Sequence, residues 1–260
     1  MSFFSRLLTG TAACAATATM LLGAAPASAD DLDTIKEAGV IRIAMSGAYP
    51  PFNFVNERNE VEGFDPAIGA EIAKRMGVKA EIVTTPFDGI IGGLLANKFD
   101  AVVGSMSITE ERQKVVDFVG PYNNTRRGIF ALPDNKVKSV DDLKDAKVGV
   151  TLGETHDQWT REQGYDVRTY KGLPELLMEL ENGRVDAIVN DDIPVMIAIK
   201  EGQTKAVEID YPEAETFAAG IAIRKDNPAL AAEMQKALDS MMEDGTYLAI
   251  ANEWVGGDIR

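Results

Sequence analysis

Phe87, Ile90, Ile91, Leu94 and Leu95 align with Leu173, Leu176, Leu177, Leu180 and Glu181 at a constant offset of 86 positions. At the same offset Lys98-Phe99-Asp100-Ala101-Val102-Val103 aligns with Arg184-Val185-Asp186-Ala187-Ile188-Val189. Apolar residues three and four apart mark one face of a helix, and the short Val/Ile run after it has the length of a buried parallel strand. Any α/β chain contains helix–strand units, but a charge, an Asp-Ala pair and four apolar positions in one register go beyond that resemblance. The chain is therefore read as two related α/β units.

The flanks extend each unit. Ile41-Arg42-Ile43 and Val148-Gly149-Val150 read as first strands. Asp65-Pro66 through Met76-Gly77 reads as a helix with Asp65 as N-cap, Pro at N1 and Gly just past the end. Each unit is then β-α-β-α-β, which builds an open, mostly parallel sheet with helices on both faces. Ligands on such sheets sit beyond the carboxyl ends of the strands.

Charge and targeting narrow the setting. With 26 Lys+Arg against 41 Asp+Glu the formal charge is −15, the wrong sign for binding phosphates, so no nucleic-acid partner is expected. Residues 1–29 read as a signal peptide: a short basic start, an apolar stretch from Leu7 to Gly23, and Ala27-Ser28-Ala29 before Asp30 as a small-x-small cleavage site. The expected product is an exported, periplasmic protein. Its lone Cys14 lies in that leader, so the mature chain has no thiol or disulfide. A single His156 argues against a zinc site or a Ser-His-Asp triad, and no metal or cofactor is expected.

Four loops follow the strands: Ser46 to Phe52, Gly104 to Thr109, Leu152 to Thr155, and Asn190 to Asp192. They offer aromatic rings, hydroxyls, helix-start N–H groups and a carboxylate, an inventory suited to a small zwitterion and thin for bond breaking. Arg112 stands in the first turn of a helix capped by Thr109, where a cation is unfavourable. A bound carboxylate would reverse that penalty and use the planar fork; a salt bridge to Glu110 or Glu111 is the plainer alternative. Asp191 aligns with Ser105 in the repeat, so one unit would present Arg112 with Ser105 and Ser107, and the other Asp191. Asp191 is either the N-cap of the following helix or, if Asp192 takes that role, the partner of an ammonium group. Tyr49 and Phe87 could pack on the aliphatic part of a ligand, whereas Phe52 and Trp159 read as core. His156 reads as a solvated or capping residue.

The combination Ala48-Tyr49-Pro50-Pro51-Phe52, Gly63-Phe64-Asp65, Phe87-Asp88-Gly89-Ile90-Ile91, Ser107-Ile108-Thr109-Glu110-Glu111-Arg112, Gly183-Arg184-Val185-Asp186-Ala187 and Asp244-Gly245-Thr246-Tyr247 ahead of Trp254 resembles the periplasmic polar amino-acid-binding proteins of ABC importers, solute-binding family 3. The resemblance implies a two-lobe periplasmic binding protein (Venus flytrap) fold, with two hinge strands. Lobe 1 would comprise residues 30–125 and 219–260, and lobe 2 residues 126–218. It implies that Arg112 grips the α-carboxylate with the backbone of Ser107 and Thr155. Asp191 and the Ser105 and Ser107 region would take the ammonium, and Tyr49 and Phe87 would flank the side chain. The implied partners are an amino acid and an inner-membrane ABC permease, and the expected state is a monomer. Relatives that bind cationic side chains generally carry an acid where this chain has Ser46. A neutral, cystine-like or an amide or acidic side chain is therefore expected over a cationic one, with Arg126 and Arg127 beside the cleft as possible partners. The rival implied by the same fold is a cyclohexadienyl or arogenate dehydratase, in which Glu154 would be the acid if burial raised its pKa.

Overall fold

The computed structural model describes residues 30–260, so the expected leader at 1–29 lies outside the described residues. The chain opens with α1 (Asp31–Ala38) and β1 (Val40–Met45). A small three-stranded patch follows, made of β2 (Ala48–Tyr49), β3 (Asn53–Val55) and β4 (Val61–Glu62). Then come α2 (Phe64–Arg75), β5 (Lys79–Thr84), α3 (Ile90–Leu95), β6 (Ala101–Ser107), α4 (Glu110–Gln113) and the long β7 (Val116–Ala131). The second unit is β8 (Lys147–Thr151), α5 (Thr155–Glu162), β9 (Asp166–Tyr170), α6 (Leu173–Glu181) and β10 (Ala187–Asp191). The chain continues through α7 (Asp192–Lys200) and β11 (Val207–Glu208) and returns to the first unit with β12 (Thr216–Arg224), α8 (Pro228–Glu243) and α9 (Thr246–Trp254).

The repeat is the organising symmetry. The strand order is β5-β1-β6-β12-β7-β10-β8-β9, so in both units the second strand lies outermost, then the first, then the third. β1 pairs in parallel with β5 and β6, and β8 pairs in parallel with β9 and β10. Alternation decides which layer each residue joins. Ile41, Ile43 and Met45 of β1 pack with α2, while Ala44 and Val102 pack on the other face with Ile90 and Leu94 of α3. In the second unit Val148, Val150, Ala187 and Val189 face Trp159, whereas Ile188 faces Leu176 and Leu180 of α6. Both faces are covered, as parallel sheets require.

Two strands join the halves. β7 spans 16 residues, pairing with β12 along its first part and with β10 and β11 at its end. Asn123, Asn124, Thr125 and Arg126 lie opposite Ala219, Ala218, Phe217 and Thr216, so the two crossings run side by side as one antiparallel ribbon. This is the two-lobe periplasmic binding protein fold, with a mostly parallel sheet in each lobe and two hinge strands.

Two local expectations are corrected. Helix α2 begins at Phe64, with Gly63 as its N-cap, which moves Asp65 from the cap position into the helix. Gly63 has φ +130, and a Cβ there would lie 2.5 Å from the Phe52 carbonyl oxygen, so the chain can make this close turn only at glycine. Ser105 to Ser107 and Asp191 are not loop residues past their strands. β6 runs on to Ser107 because Met106 and Ser107 find partners in Gly220 and Ala219, and β10 runs to Asp191 because Arg127 pairs with it.

Candidate functional site

The carboxyl ends of β1, β6, β8 and β10 converge where the halves meet, the switch-point position at which open α/β sheets bind ligands. The cavity there is narrow, with a volume of about 20 Å³, room for little more than a water molecule. All eight residues expected from the sequence line it: Ser46, Tyr49, Phe87, Ser105, Ser107, Arg112, Thr155 and Asp191. Gly104, Glu154 and His156 complete the wall.

Beneath the cavity lies a buried polar network. Asp65 is fully buried and accepts hydrogen bonds from Tyr122 Oη at 2.7 Å, Ser105 Oγ at 2.9 Å and Asn53 Nδ2 at 2.6 Å. Asn53 in turn accepts through Oδ1 from Ser46 Oγ and the Gly47 N–H, both at 2.8 Å. Ser105 sits at φ +48, an uncommon conformation for serine, and is held there by its N–H to Tyr122 Oη at 2.7 Å and by Asn123 Nδ2 at 3.0 Å. Burial pushes the Asp65 carboxyl up to about 6, against the opposing pull of its three donors. The sequence assigned Asp65 to a helix cap; it is instead the central acceptor under the site floor.

Arg112 follows the expected geometry. Thr109 Oγ1 caps α4 by accepting from the Arg112 N–H at 3.2 Å, and the side chain folds back over the end of β6. Nη1 donates to the Ser107 carbonyl at 2.9 Å, and Nη2 reaches across to the Gly153 carbonyl at 3.3 Å. No carboxylate forms an ion pair with Arg112 among the described residues, so the salt bridge to Glu110 or Glu111 does not form. The guanidinium also lies 5.4 Å over the Phe87 ring, which uses one face of that aromatic to position the cation. Burial lowers its pKa from the ordinary value, while Glu154, Asp191 and Glu111 act in the opposite sense.

Asp191 enters from the other half. Its backbone is at the N-cap position of α7, but its side chain makes no cap bond. Oδ1 accepts from Thr125 Oγ1 at 2.8 Å and lies 3.1 Å from His156 Nε2, and Oδ2 accepts from Tyr49 Oη. Against the burial that would raise it, the imidazole and the two hydroxyls hold the Asp191 pKa below the usual carboxylate value. Asp192, the first residue of α7, accepts instead from the Arg126 and Ile193 N–H groups. The charged acceptor that would meet an ammonium is thus already satisfied, and Tyr49 bridges the two halves by occupying it.

Two expectations change at the wall, for His156 and for Arg126 and Arg127, while the condition set for Glu154 is met. His156 is neither solvated nor a cap: its side chain is buried beside Asp191 with its ring edge-on to Phe217 at 5.9 Å. Glu154, at the N-cap of α5, makes no cap bond and has Oε2 enclosed without a partner. Burial first, and then the nearby Asp191, push its carboxyl up to about 8, with Arg112 opposing. Arg126 and Arg127 do not line the cavity. Arg126 pairs with Asp192 at 3.3 Å and with Glu208, and Arg127 is wedged between the Trp159 and Phe217 rings at 4.7 and 4.9 Å and pairs with Glu215. Phe52 stacks behind Tyr49 at 5.3 Å and is fully buried in the core, whereas Trp159 is only half-buried and packs against the second core with Tyr165 and Tyr211. Only the position of Glu154 and His156 after a first strand could have pointed to them in advance.

Among the described residues, no cluster of three or more His, Cys, Asp or Glu could hold a metal ion, and no helix is long and apolar enough to cross a membrane. The model for bacterial extracellular solute-binding proteins, family 3, matches residues 41–257. The L-cystine-binding protein TcyJ of Escherichia coli is 36% identical over 238 residues, covering 88% of this chain and 87% of its own length. The L-arginine-binding protein of Pseudomonas aeruginosa is 33% identical over 254 residues, covering 92% and 96%. Among solved structures, the ancestral amino acid-binding protein AncCDT-1, a precursor of cyclohexadienyl dehydratase, superposes with a TM-score of 0.80 at 36% identity, covering 86% of this chain and 99% of that one.

Proposed function

Because the chain belongs to family 3 of the bacterial extracellular solute-binding proteins, we propose that it captures a polar α-amino acid between its two lobes and delivers it to the permease of an inner-membrane ABC importer. The carrying observation is the meeting of Arg112 and Asp191, one from each half, at a single cavity. Arg112 is bound only to carbonyl oxygens and is ready for a carboxylate; Asp191 is ionised and takes the α-ammonium when Tyr49 Oη gives way. The Ser107 backbone and Thr155 at the start of α5 complete the carboxylate site, Ser105 adds its hydroxyl to the ammonium site, and Tyr49 and Phe87 flank the side chain. The solute thus replaces contacts that span the halves, which is how differential affinity favours a closed state.

In this reading lobe 1 comprises residues 30–125 and 219–260 and lobe 2 residues 126–218, with the hinge in the ribbon where Thr125 and Arg126 face Phe217 and Thr216. The leader is removed before Asp30, and the protein works in the periplasm as a monomer. A thermal-shift screen of refolded protein against the standard amino acids and cystine tests the function. Solute at about a hundred times its Kd contributes roughly 2.7 kcal/mol and raises Tm by about 5–10 °C. A shift from one or two amino acids names the cargo, and none from any α-amino acid overturns the reading.

A neutral, cystine-like solute is preferred over a cationic one. Ser46 stands in the wall with its hydroxyl committed to Asn53, so a cationic side chain meets no carboxylate there. Ser46→Asp is expected to gain at least tenfold in affinity for lysine or arginine, since an exposed ion pair is worth up to about 1 kcal/mol and an enclosed one more. Asn53 Oδ1 keeps the Gly47 N–H, which preserves the loop. Calorimetric titration with arginine reads the gain; equal affinity in both proteins would show that this loop does not set side-chain charge.

The dehydratase alternative draws on one observation, the buried Glu154 carboxyl raised to about 8, which could protonate a leaving hydroxyl. An ionised Asp191 beside Arg112 suits an intact α-amino acid better. Incubation with prephenate and arogenate, followed by product absorbance, separates the two readings.

A further inference from the structure

Glu154 is the one carboxyl in the cavity wall that the capture of a zwitterion leaves without a task. Its Oε2 is enclosed and unpartnered, it shares the cavity wall with Arg112 and Asp191, and both of the charges that would hold the solute act on it. An α-amino acid brings one negative and one positive charge to Arg112 and Asp191, so the sum in the cleft is balanced without Glu154. An ionised Glu154 would add an uncompensated charge to an enclosed site and would compete with the solute's carboxylate for Arg112, both of which are costly. We propose that Glu154 enters the loaded cleft as a neutral carboxyl and donates a hydrogen bond to the solute carboxylate that Arg112 holds. This rests on the amino-acid reading of the site and adds to it a binding residue and a coupled proton.

The groups around Glu154 support that state. Arg112 on α4 and, less strongly, the Thr151 hydroxyl at the end of β8 favour the anion. Asp191 at the end of β10 and Asp157 on α5 oppose it, and Tyr49 on β2 and His156 on α5 present a hydroxyl and an imidazole. Burial and Asp191 already lift the carboxyl to about 8 before any solute arrives. A solute carboxylate on Arg112 offsets the one cation that lowers it and places a second anion beside it, so the pKa rises further on binding. A group protonated more in the bound state than in the free one makes binding strongest below the free pKa. Affinity then weakens as pH rises through about 8, approaching tenfold per pH unit above it.

The test is calorimetric titration of L-cystine and L-arginine into wild type and Glu154→Gln between pH 7 and 9, in buffers of different ionisation enthalpy. Gln keeps the size and a donor but cannot titrate. For wild type, affinity for cystine should fall about tenfold more between pH 7 and 9 than it does for the variant, with net proton uptake at pH 9 that the variant lacks. The variant's own slope removes the titration of the solute's amino groups. Parallel pH profiles overturn the proposal, as does absence of proton uptake in wild type, a readout that needs no variant. Tighter binding of arginine with rising pH in wild type alone also overturns it, because Glu154 would then be acting as an anion. If neither solute binds either protein, the titrations are run with the amino acid that the thermal-shift screen identifies, and a screen in which no α-amino acid shifts Tm overturns the amino-acid reading and the proposal with it.

Discussion

Arg112→Ala is expected to lose amino-acid binding by more than a hundredfold while the unloaded protein keeps its fold. Two facts separate the functional from the structural role of this residue. Its guanidinium bonds to two carbonyl oxygens, of Ser107 and Gly153, and no acid is left stranded when it is removed. Its backbone part in α4, the N–H on Thr109, survives the substitution. The cost to the fold is therefore about 1 kcal/mol, the worth of ordinary hydrogen bonds, and a shift of a few degrees in Tm. The cost to binding is of another kind. Without the fork, the solute carboxylate enters an enclosed site beside Glu154 with no counter-charge, and loss of one partner of a buried charge pair costs about 3 kcal/mol or more. That is roughly a hundredfold in Kd. Arg112→Lys should recover only part of it, because an ammonium cannot span Ser107, Gly153 and two carboxylate oxygens at once. Calorimetry on the three proteins, with melting curves as the control for folding, decides the matter; an unchanged Kd in the alanine variant would remove Arg112 from the site.

The repeat carried the fold because parallel α/β units are locally encoded. Helix spacing in Leu173 to Leu180 and the Val/Ile runs at Ala101 to Val103 and Ala187 to Val189 are properties of short segments, and each segment folds as its own pattern dictates. That Arg112 and Asp191 would line one cavity was legible for the same reason: both sit at fixed places relative to elements that the sequence marks. What escaped was decided by remote partners. The three groups that hold Asp191 come from Tyr49, Thr125 and His156, separated from it by 142, 66 and 35 residues. No spacing rule links His156 to Asp191, so a helix-start histidine looked ordinary. The same holds for Arg127, whose aromatic clamp joins α5 to β12, and for the end of β6, which continues only because β12 returns beside it more than a hundred residues later.

Asp65 is the residue for which that remote assembly has the largest consequence for stability, and Asp65→Ala is expected to lower Tm by about 6–12 °C at pH 4, below the range in which the cost of its buried charge offsets the loss. The side chain is fully buried and is the shared acceptor for Tyr122, Ser105 and Asn53. Removing it leaves three donors enclosed without their acceptor, at about 1 kcal/mol or more each. The sum near 3 kcal/mol gives the stated fall for a chain of this size. Ser105 would also lose a bond that keeps it at φ +48, and Ser46 is held by Asn53, so the floor of the cavity loosens and solute affinity falls with stability. Asp65→Asn separates charge from hydrogen bonding. The folded-state pKa of about 6 lies above the unfolded value near 3.9, so the native chain binds the proton more tightly than the unfolded one. Its contribution is fully present below about pH 4 and is lost as pH rises through about 6, a change of roughly 3 kcal/mol that wild type undergoes and the asparagine variant does not. Relative to wild type, the Asn variant should therefore gain in Tm between pH 4 and 6. Melting curves of both proteins across that range read the difference, and a constant offset would mean that Asp65 is ionised in the native protein throughout.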